Sequence, residues 1–280
     1  MSGALVVVEN VAEAIGEPAP AKLNLALHVR GKRRDGRHEL ETVFAFCIDG
    51  DRVEVTPSDH LSLAIEGPFA RDLAPDEGNL VLRAARTLAE AAKIAPTGAL
   101  TLKKYLPVAS GIGGGSADAA ATLRLLTRNW RIDPALATAI APNLGSDVPA
   151  CLLSMTARGT GAGDKLELVD DSTVGNTPVL LVNPRAPLST HAVFAAWDGV
   201  DRGPLGDWRA GRNDLELPAR SLVPEVGKVL DWLGARDGVT GARMSGSGAT
   251  CFALFADETA RDACSAALPA AWWHLASTLR

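Results

Sequence analysis

Residues 107–120 read Pro107-Val108-Ala109-Ser110-Gly111-Ile112-Gly113-Gly114-Gly115-Ser116-Ala117-Asp118-Ala119-Ala120. Three consecutive glycines need a reason, because glycine weakens a regular element by roughly 0.5–1 kcal/mol relative to alanine. Upstream, residues 100–106 read as a strand closed by Pro107. Downstream, residues 117–130 place Ala119, Leu123, Leu126 and Trp130 on one helical stripe. A strand, a glycine run and a strong helix in that order suit anion binding. Glycines let backbone N–H groups turn toward a phosphate, and the helix adds unpaired N–H groups and the positive end of its dipole. Ser116 is placed to cap the helix or to bond a phosphate oxygen. The competing reading is a flexible loop ahead of a helix. The segment is not a Walker A loop, since no lysine follows Ser116. Nor is it a G-x-G-x-x-G fingerprint, because Ser116 stands where the last glycine belongs. A G-x-S-x-G elbow fails at both Ser116 and Ser247.

Outward from this segment, residues 21–29 alternate, with Leu23, Leu25 and Leu27 on one face and Lys22, Asn24 and His28 on the other. A turn follows at Asp35-Gly36. Residues 44–48 and 52–55 read as two strands around an Asp49-Gly50 turn. Residues 79–94 predict a helix capped by Asn79, and residues 134–141 another, ending near Pro142. Residues 179–182 read as a buried strand, 225–233 as a helix, 251–255 as a short apolar strand and 259–267 as a final helix. Strands and helices mix without regular βαβ alternation, which predicts an α+β chain. Residues 1–18 read as a loosely ordered extension, and a domain break is expected near 157–175.

The 280-residue chain carries a formal net charge of -5, and its dense basic stretch is confined to residues 30–37. That balance argues against a nucleic-acid partner. Cys47, Cys151, Cys251 and Cys264 are far apart and form no C-x-x-C pair, as expected of reduced, buried thiols in a cytoplasmic protein. No apolar run reaches the roughly 18 residues a bilayer requires, so no membrane partner is expected. Metal-ligand spacing is absent, and metal ligands stay unassigned.

Two further clusters carry chemistry. Asp147, within residues 143–149, reads as a general base or hydroxyl-orienting group, or else as a helix N-cap. Lys22 reads as a cation that neutralises a transferring phosphoryl group, or else as a solvated lysine. The Gly/Ser segment 243–250 reads equally as a phosphate or substrate loop and as a hairpin turn.

Residues 19–25 (Ala19-Pro-Ala-Lys-Leu-Asn-Leu), 107–120 and 241–255 together resemble the three motifs of the GHMP kinases, the superfamily of galactokinase and of the homoserine, mevalonate and phosphomevalonate kinases. Residues 21–25, Arg34-Asp35-Gly36-Arg37-His38, residues 143–149 and Asn213-Asp214-Leu215-Glu216 resemble the branch whose acceptor is 4-diphosphocytidyl-2-C-methyl-D-erythritol. The resemblance implies ATP-dependent phosphorylation of that acceptor's 2-hydroxyl in non-mevalonate isoprenoid synthesis, with Mg²⁺. It implies a ribosomal-S5-like N-terminal domain over 19–165, a ferredoxin-like C-terminal domain over 166–280 and an active site between them, in a monomer or weak homodimer. Asp147 would be the catalytic base and Lys22 its charge-stabilising partner. Residues Pro107 to Ala117 would wrap the ATP phosphates, with Asn79 and Lys104 near the adenosine. Asn24 would hold the acceptor near its reacting hydroxyl, His38 would read the cytosine edge, and Thr190 and Phe194 would lie on the same side. Arg37 departs from the family's tyrosine, and its guanidinium plane can stack on a base. Two alternatives stay open: a GHMP kinase acting on another alcohol, and a non-catalytic nucleotide-binding protein.

Overall fold

The alternation over residues 21–29 extends into an 18-residue strand, β1 (Ile15–Lys32), paired antiparallel with the 19-residue β2 (His38–Thr56). The computed structural model describes residues 14–170 and 174–280. Because β1 starts at Ile15, the last residues of the expected extension are paired strand. Residues 1–13 lie outside the described residues. The turn expected at Asp35-Gly36 closes the β1–β2 hairpin, where the Arg33 N–H donates to the Arg37 carbonyl at 2.8 Å.

The turn expected at Asp49-Gly50 does not form, and β2 runs through it. Asp-Gly marks a hairpin when the two flanking segments pair with each other. Here both pair with β1 instead. Gly50 sits opposite Pro20, and a Cβ on it would lie 2.1 Å from the Ala19 carbonyl oxygen. Glycine is needed there for a close strand approach, not for a turn.

The first sheet adds β3 (Ser62–Glu66), β4 (Ala99–Lys103), β5 (Ala157–Gly161) and β6 (Lys165–Leu168), in the order β3-β4-β2-β5-β6 with β1 on β2. Helices α1 (Leu80–Ala92), α2 (Gly114–Asn129), α3 (Pro134–Leu144) and α4 (Val148–Leu153) cover it. α1 forms as its sequence predicts: Asn79 Oδ1 accepts the Val81 N–H at 3.0 Å, and Val81, Ala84, Ala85 and Leu88 bury one stripe. α2 begins three residues earlier than expected. Gly113, left-handed at φ 65°, is its N-cap, so Ser116 lies inside the first turn and does not cap the helix. Phe44, Phe46, Leu88, Leu100, Leu123 and Leu126 form the core between sheet and helices.

The second layer pair comprises β7 (Pro178–Asn183), α5 (Thr190–Ala195), α6 (Glu216–Leu222), α7 (Glu225–Gly234), β8 (Val239–Met244), β9 (Cys251–Phe255), α8 (Glu258–Ala266) and β10 (Trp273–Thr278). Its antiparallel sheet runs β10-β7-β9-β8 over a core that includes Leu180, Val182, Val229, Leu233 and Phe255. The α+β expectation holds.

The halves meet on β1 and β2. Leu27 bridges Asn213, Cys47 bridges Leu279, and Leu23, Leu25, Val179, Leu181 and Phe252 share an apolar cluster. The polar face of β1 is therefore enclosed, and Lys22, Asn24 and His28 are each 4% exposed or less. The solvated reading of Lys22 is excluded.

Candidate active site

A cavity of about 1040 Å³ opens between the halves. It is lined by residues of β1 and β2, of the 109–116 segment and of α5, and by Gly246 and Ser247 of the 243–250 segment. That segment joins β8 to β9, so it is a hairpin connection that also faces the site.

Residues remote in sequence are tied together by backbone groups. Lys22 donates its N–H to the Ile112 carbonyl at 3.0 Å, and Thr250 donates its N–H to the Ser110 carbonyl at 3.0 Å. Ser245 Oγ accepts the Asn24 N–H and donates to the Gly111 carbonyl, both at 3.1 Å. Asn213 Nδ2 donates to the Met244 and Gly246 carbonyls at 2.8 Å each.

Inside this frame Lys22 Nζ lies 2.9 Å from Asp147 Oδ2 and 2.9 Å from Asn24 Oδ1, over the Phe44 ring. Asp147 holds the N-cap position of α4, yet its side chain makes no capping bond. Its carboxylate turns to the lysine and is one-third exposed to the cavity. This pair joins an acceptor for a hydroxyl proton to a fixed cation.

Gly113 faces the same pair. A Cβ there would lie 2.9 Å from Lys22 Cε, at a left-handed φ. The N–H groups of Gly114, Gly115 and Ser116 precede the first helical bond of α2, which runs from the Ala117 N–H to the Gly113 carbonyl. They stand at the N-terminus of a 16-residue helix, where phosphate is favoured.

At the far end the His38 ring stacks on Phe194 with centroids 4.7 Å apart, and Trp197 meets it edge-on at 5.7 Å. Burial, then the Lys32 charge, holds the His38 pKa below its ordinary value. The neutral imidazole therefore keeps one donor and one acceptor. Arg37 lines the cavity but pairs with Asp35 at 2.9 Å, and no aromatic ring among the described residues lies against its guanidinium. Thr190 Oγ1 shares a 2.9 Å hydrogen bond with Ser247 Oγ.

Of the residues singled out in the sequence, the cavity gathers Lys22, Asn24, Arg37, His38, Asp147, Thr190 and Phe194, with Ala109, Ser110, Gly111 and Gly113 to Ser116. Others stand elsewhere. Ile112 and Ala117 turn into the core, and Val108 is exposed. Pro107 is not among the lining residues. Asn79 spends its amide on the α1 cap and on the Ala74 carbonyl at 3.1 Å. Lys104 is 1% exposed, its ammonium held by Asp51 at 2.5 Å and Asp118 at 2.7 Å. It lies beneath the first turn of α2, away from the cavity.

Asp118 has a pKa pushed up to about 7, chiefly by burial and opposed by Lys104. Trp197, Thr42 and Phe44 line the site and were not anticipated. Trp197 lies just past the end of α5, three residues after Phe194, and that spacing is the local signal for it. Among the described residues no group of three or more His, Cys, Asp or Glu could hold a metal, and no helix is long and apolar enough to cross a membrane.

Residues 79–155 match the GHMP kinases N terminal domain and residues 201–274 match GHMP kinases C terminal. A 4-diphosphocytidyl-2-C-methyl-D-erythritol kinase of Rhizorhabdus wittichii is 54% identical, over 94% of this chain and 94% of its own length. One from Novosphingobium aromaticivorans is 50% identical over 96% and 94%. A crystal structure of 4-(cytidine 5'-diphospho)-2C-methyl-D-erythritol kinase superposes with a TM-score of 0.81 at 34% identity, covering 95% of this chain and 99% of that one. A homoserine kinase from Cytophaga hutchinsonii, 17% identical with a TM-score of 0.68 over 98% and 97%, shares the fold. With relatives this similar over nearly its full length, and with one cavity joining three GHMP motifs, the chain belongs to the 4-diphosphocytidyl-2-C-methyl-D-erythritol kinases of the GHMP superfamily.

Proposed function

We propose that this chain is the ATP-dependent kinase that phosphorylates the 2-hydroxyl of 4-diphosphocytidyl-2-C-methyl-D-erythritol, a step toward isoprenoid precursors. The observation that carries the reading is the Lys22–Asp147 pair, set 2.9 Å apart beside the Gly113–Gly115 turn in one cavity with the His38–Phe194 stack.

Phosphoryl transfer asks little covalent chemistry of a protein beyond positioning and charge compensation. The N–H groups of Gly114, Gly115 and Ser116 hold the β- and γ-phosphates at the α2 N-terminus. Asp147 orients the acceptor hydroxyl and takes its proton as the new O–P bond forms and the bond from Pγ to the ADP oxygen breaks. Lys22, held by Asn24 and Asp147, offsets charge on the transferring group. His38 presents its donor and acceptor to the cytosine edge, with Phe194 and Trp197 supplying ring surface. Asp147 is the one carboxylate among the described lining residues. It is committed to Lys22 and the acceptor hydroxyl, so Mg²⁺ would be held chiefly by the substrate phosphates. When bound, the ion would neutralise phosphate charge. Residues 19–165 form the nucleotide half and 166–280 the other half, in a cytoplasmic monomer or weak homodimer.

The experiment is ATP consumption by the purified protein with Mg²⁺, with and without the acceptor. Acceptor-dependent ADP release with a new phosphomonoester supports the reading. Tight ATP binding without turnover on this acceptor points to a GHMP kinase for another alcohol, and CMP or CDP then fails to compete.

A further inference from the structure

Thr42 lies on β2 at 1% exposure, opposite Leu27 and two residues from Phe44. Its Oγ1 donates to the Ala26 carbonyl at 2.6 Å and accepts from Asn24 Nδ2 at 2.8 Å. A hydroxyl carries one proton. With that proton on Ala26, Thr42 can only accept from Asn24, so the amide nitrogen must face Thr42 and the amide oxygen must face Lys22.

The other end of the row makes the same demand. The Lys22 ammonium has donors and no acceptor, so only the oxygen of Asn24 suits it. Donation therefore runs one way from Lys22 through Asn24 and Thr42 to the Ala26 carbonyl, while the same ammonium also donates to Asp147. It is anchored on a backbone carbonyl that cannot reverse. All of these side chains except Asp147 are buried at 4% exposure or less, so stranding one of them is costly.

We propose that Thr42 is a positioning residue for phosphoryl transfer: it locks the Asn24 amide so that the amide oxygen holds the Lys22 ammonium against Asp147. The inference rests on the reading of Lys22 and Asp147 as the catalytic pair. Valine has the shape of threonine but cannot accept from the amide. In Thr42→Val the Asn24 amide loses its anchor, and its inverted orientation sets an NH₂ group against the ammonium.

The test uses the full chain carrying Thr42→Val, Thr42→Ser, Asn24→Ala and the Asn24→Ala/Thr42→Val pair. Thr42→Val is expected to lower kcat by roughly 10- to 100-fold, the scale of a slightly misplaced reacting group. The KM for ATP stays within about twofold, because the phosphate cradle is untouched. Thr42→Ser, which keeps the hydroxyl, restores most of the turnover. Adding Thr42→Val to Asn24→Ala costs nothing further, since Thr42 acts through Asn24. Multiplying losses in the double variant, or a Thr42→Ser variant as slow as Thr42→Val, overturns the proposal.

If Thr42→Val does not fold, Thr42→Ala takes its place. Hydrogen exchange of the ¹⁵N-labelled Asn24 side-chain amide gives a readout independent of turnover. Protection in the wild type and Thr42→Ser but not in Thr42→Val or Thr42→Ala supports the lock, and equal exchange in all overturns it. An inactive wild type with a protected amide would overturn the functional reading and the catalytic part of the Thr42 assignment, while the amide lock itself would stand.

Discussion

Ser245 and Gly111, 134 residues apart, share a hydrogen bond of 3.1 Å. The same hydroxyl receives the Asn24 N–H, so one buried oxygen joins the strand carrying Lys22, the glycine segment and the β8–β9 connection. Three stretches that each resemble part of a kinase become one site at this atom.

Ser245→Ala removes that atom and leaves the Asn24 N–H and the Gly111 carbonyl without their partner. Each stranded buried group costs about 1–3 kcal/mol. We expect a loss of roughly 2 kcal/mol or more in urea unfolding and a higher KM for ATP. Wild-type stability would mean that the hydroxyl is dispensable as a junction.

Asp147→Asn keeps the shape of the side chain and abolishes its basicity. General-base groups contribute about 10²- to 10⁴-fold, so kcat is expected to fall by that range while ATP binding persists. Lys22→Met is expected to do comparable harm, and the double variant far less than the product of the two losses. Near-full turnover by Asp147→Asn in steady-state assays would remove the base assignment.

His38 is held neutral by burial and Lys32, its pKa lying below the ordinary histidine value. Acidification protonates it and removes its only acceptor. The KM for the cytidine acceptor is expected to rise as pH falls below roughly 6.5, with little matching change in the KM for ATP. His38→Gln keeps a donor and an acceptor without titrating. That variant should flatten the acceptor profile, and a profile that keeps its slope would place the titrating group elsewhere.

Asp118 has a folded pKa near 7, raised above the unfolded value by burial. For a raised acid the native state holds more protons than the unfolded chain between the two values. The stabilising contribution is then full below about pH 4 and is lost as pH rises toward 7. Asp118→Asn lacks this dependence. Its unfolding free energy relative to wild type is expected to increase between pH 4 and 7 in denaturant titrations, and a constant difference would show that Asp118 stays ionised throughout.

Legibility followed the range of the interactions. Asn79 with Val81, Ala84, Ala85 and Leu88 announced α1 because cap and stripe lie within a few turns of one another. The glycine run ahead of α2 was legible for the same reason. Lys104, expected near the adenosine, is enclosed by Asp51 and Asp118; Asp51 is 53 residues away, and nothing local distinguishes such a lysine from one reaching for a ligand. Trp197 follows Phe194 by three residues, just past the end of α5, but His38 comes from the start of β2.

The α+β class and the family were legible along the chain, since motif order and short-range periodicity are local properties. Tertiary structure alone decided that β2 passes through Asp49-Gly50, that Asp147 turns to Lys22 without capping α4, and that the polar face of β1 is sealed. Each of those depends on a partner distant in the chain: β1 for the stretch through Gly50, Lys22 for Asp147, and the second half for the buried face of β1. Pairing over such distances follows from the packing of both cores at once, and no local pattern encodes it.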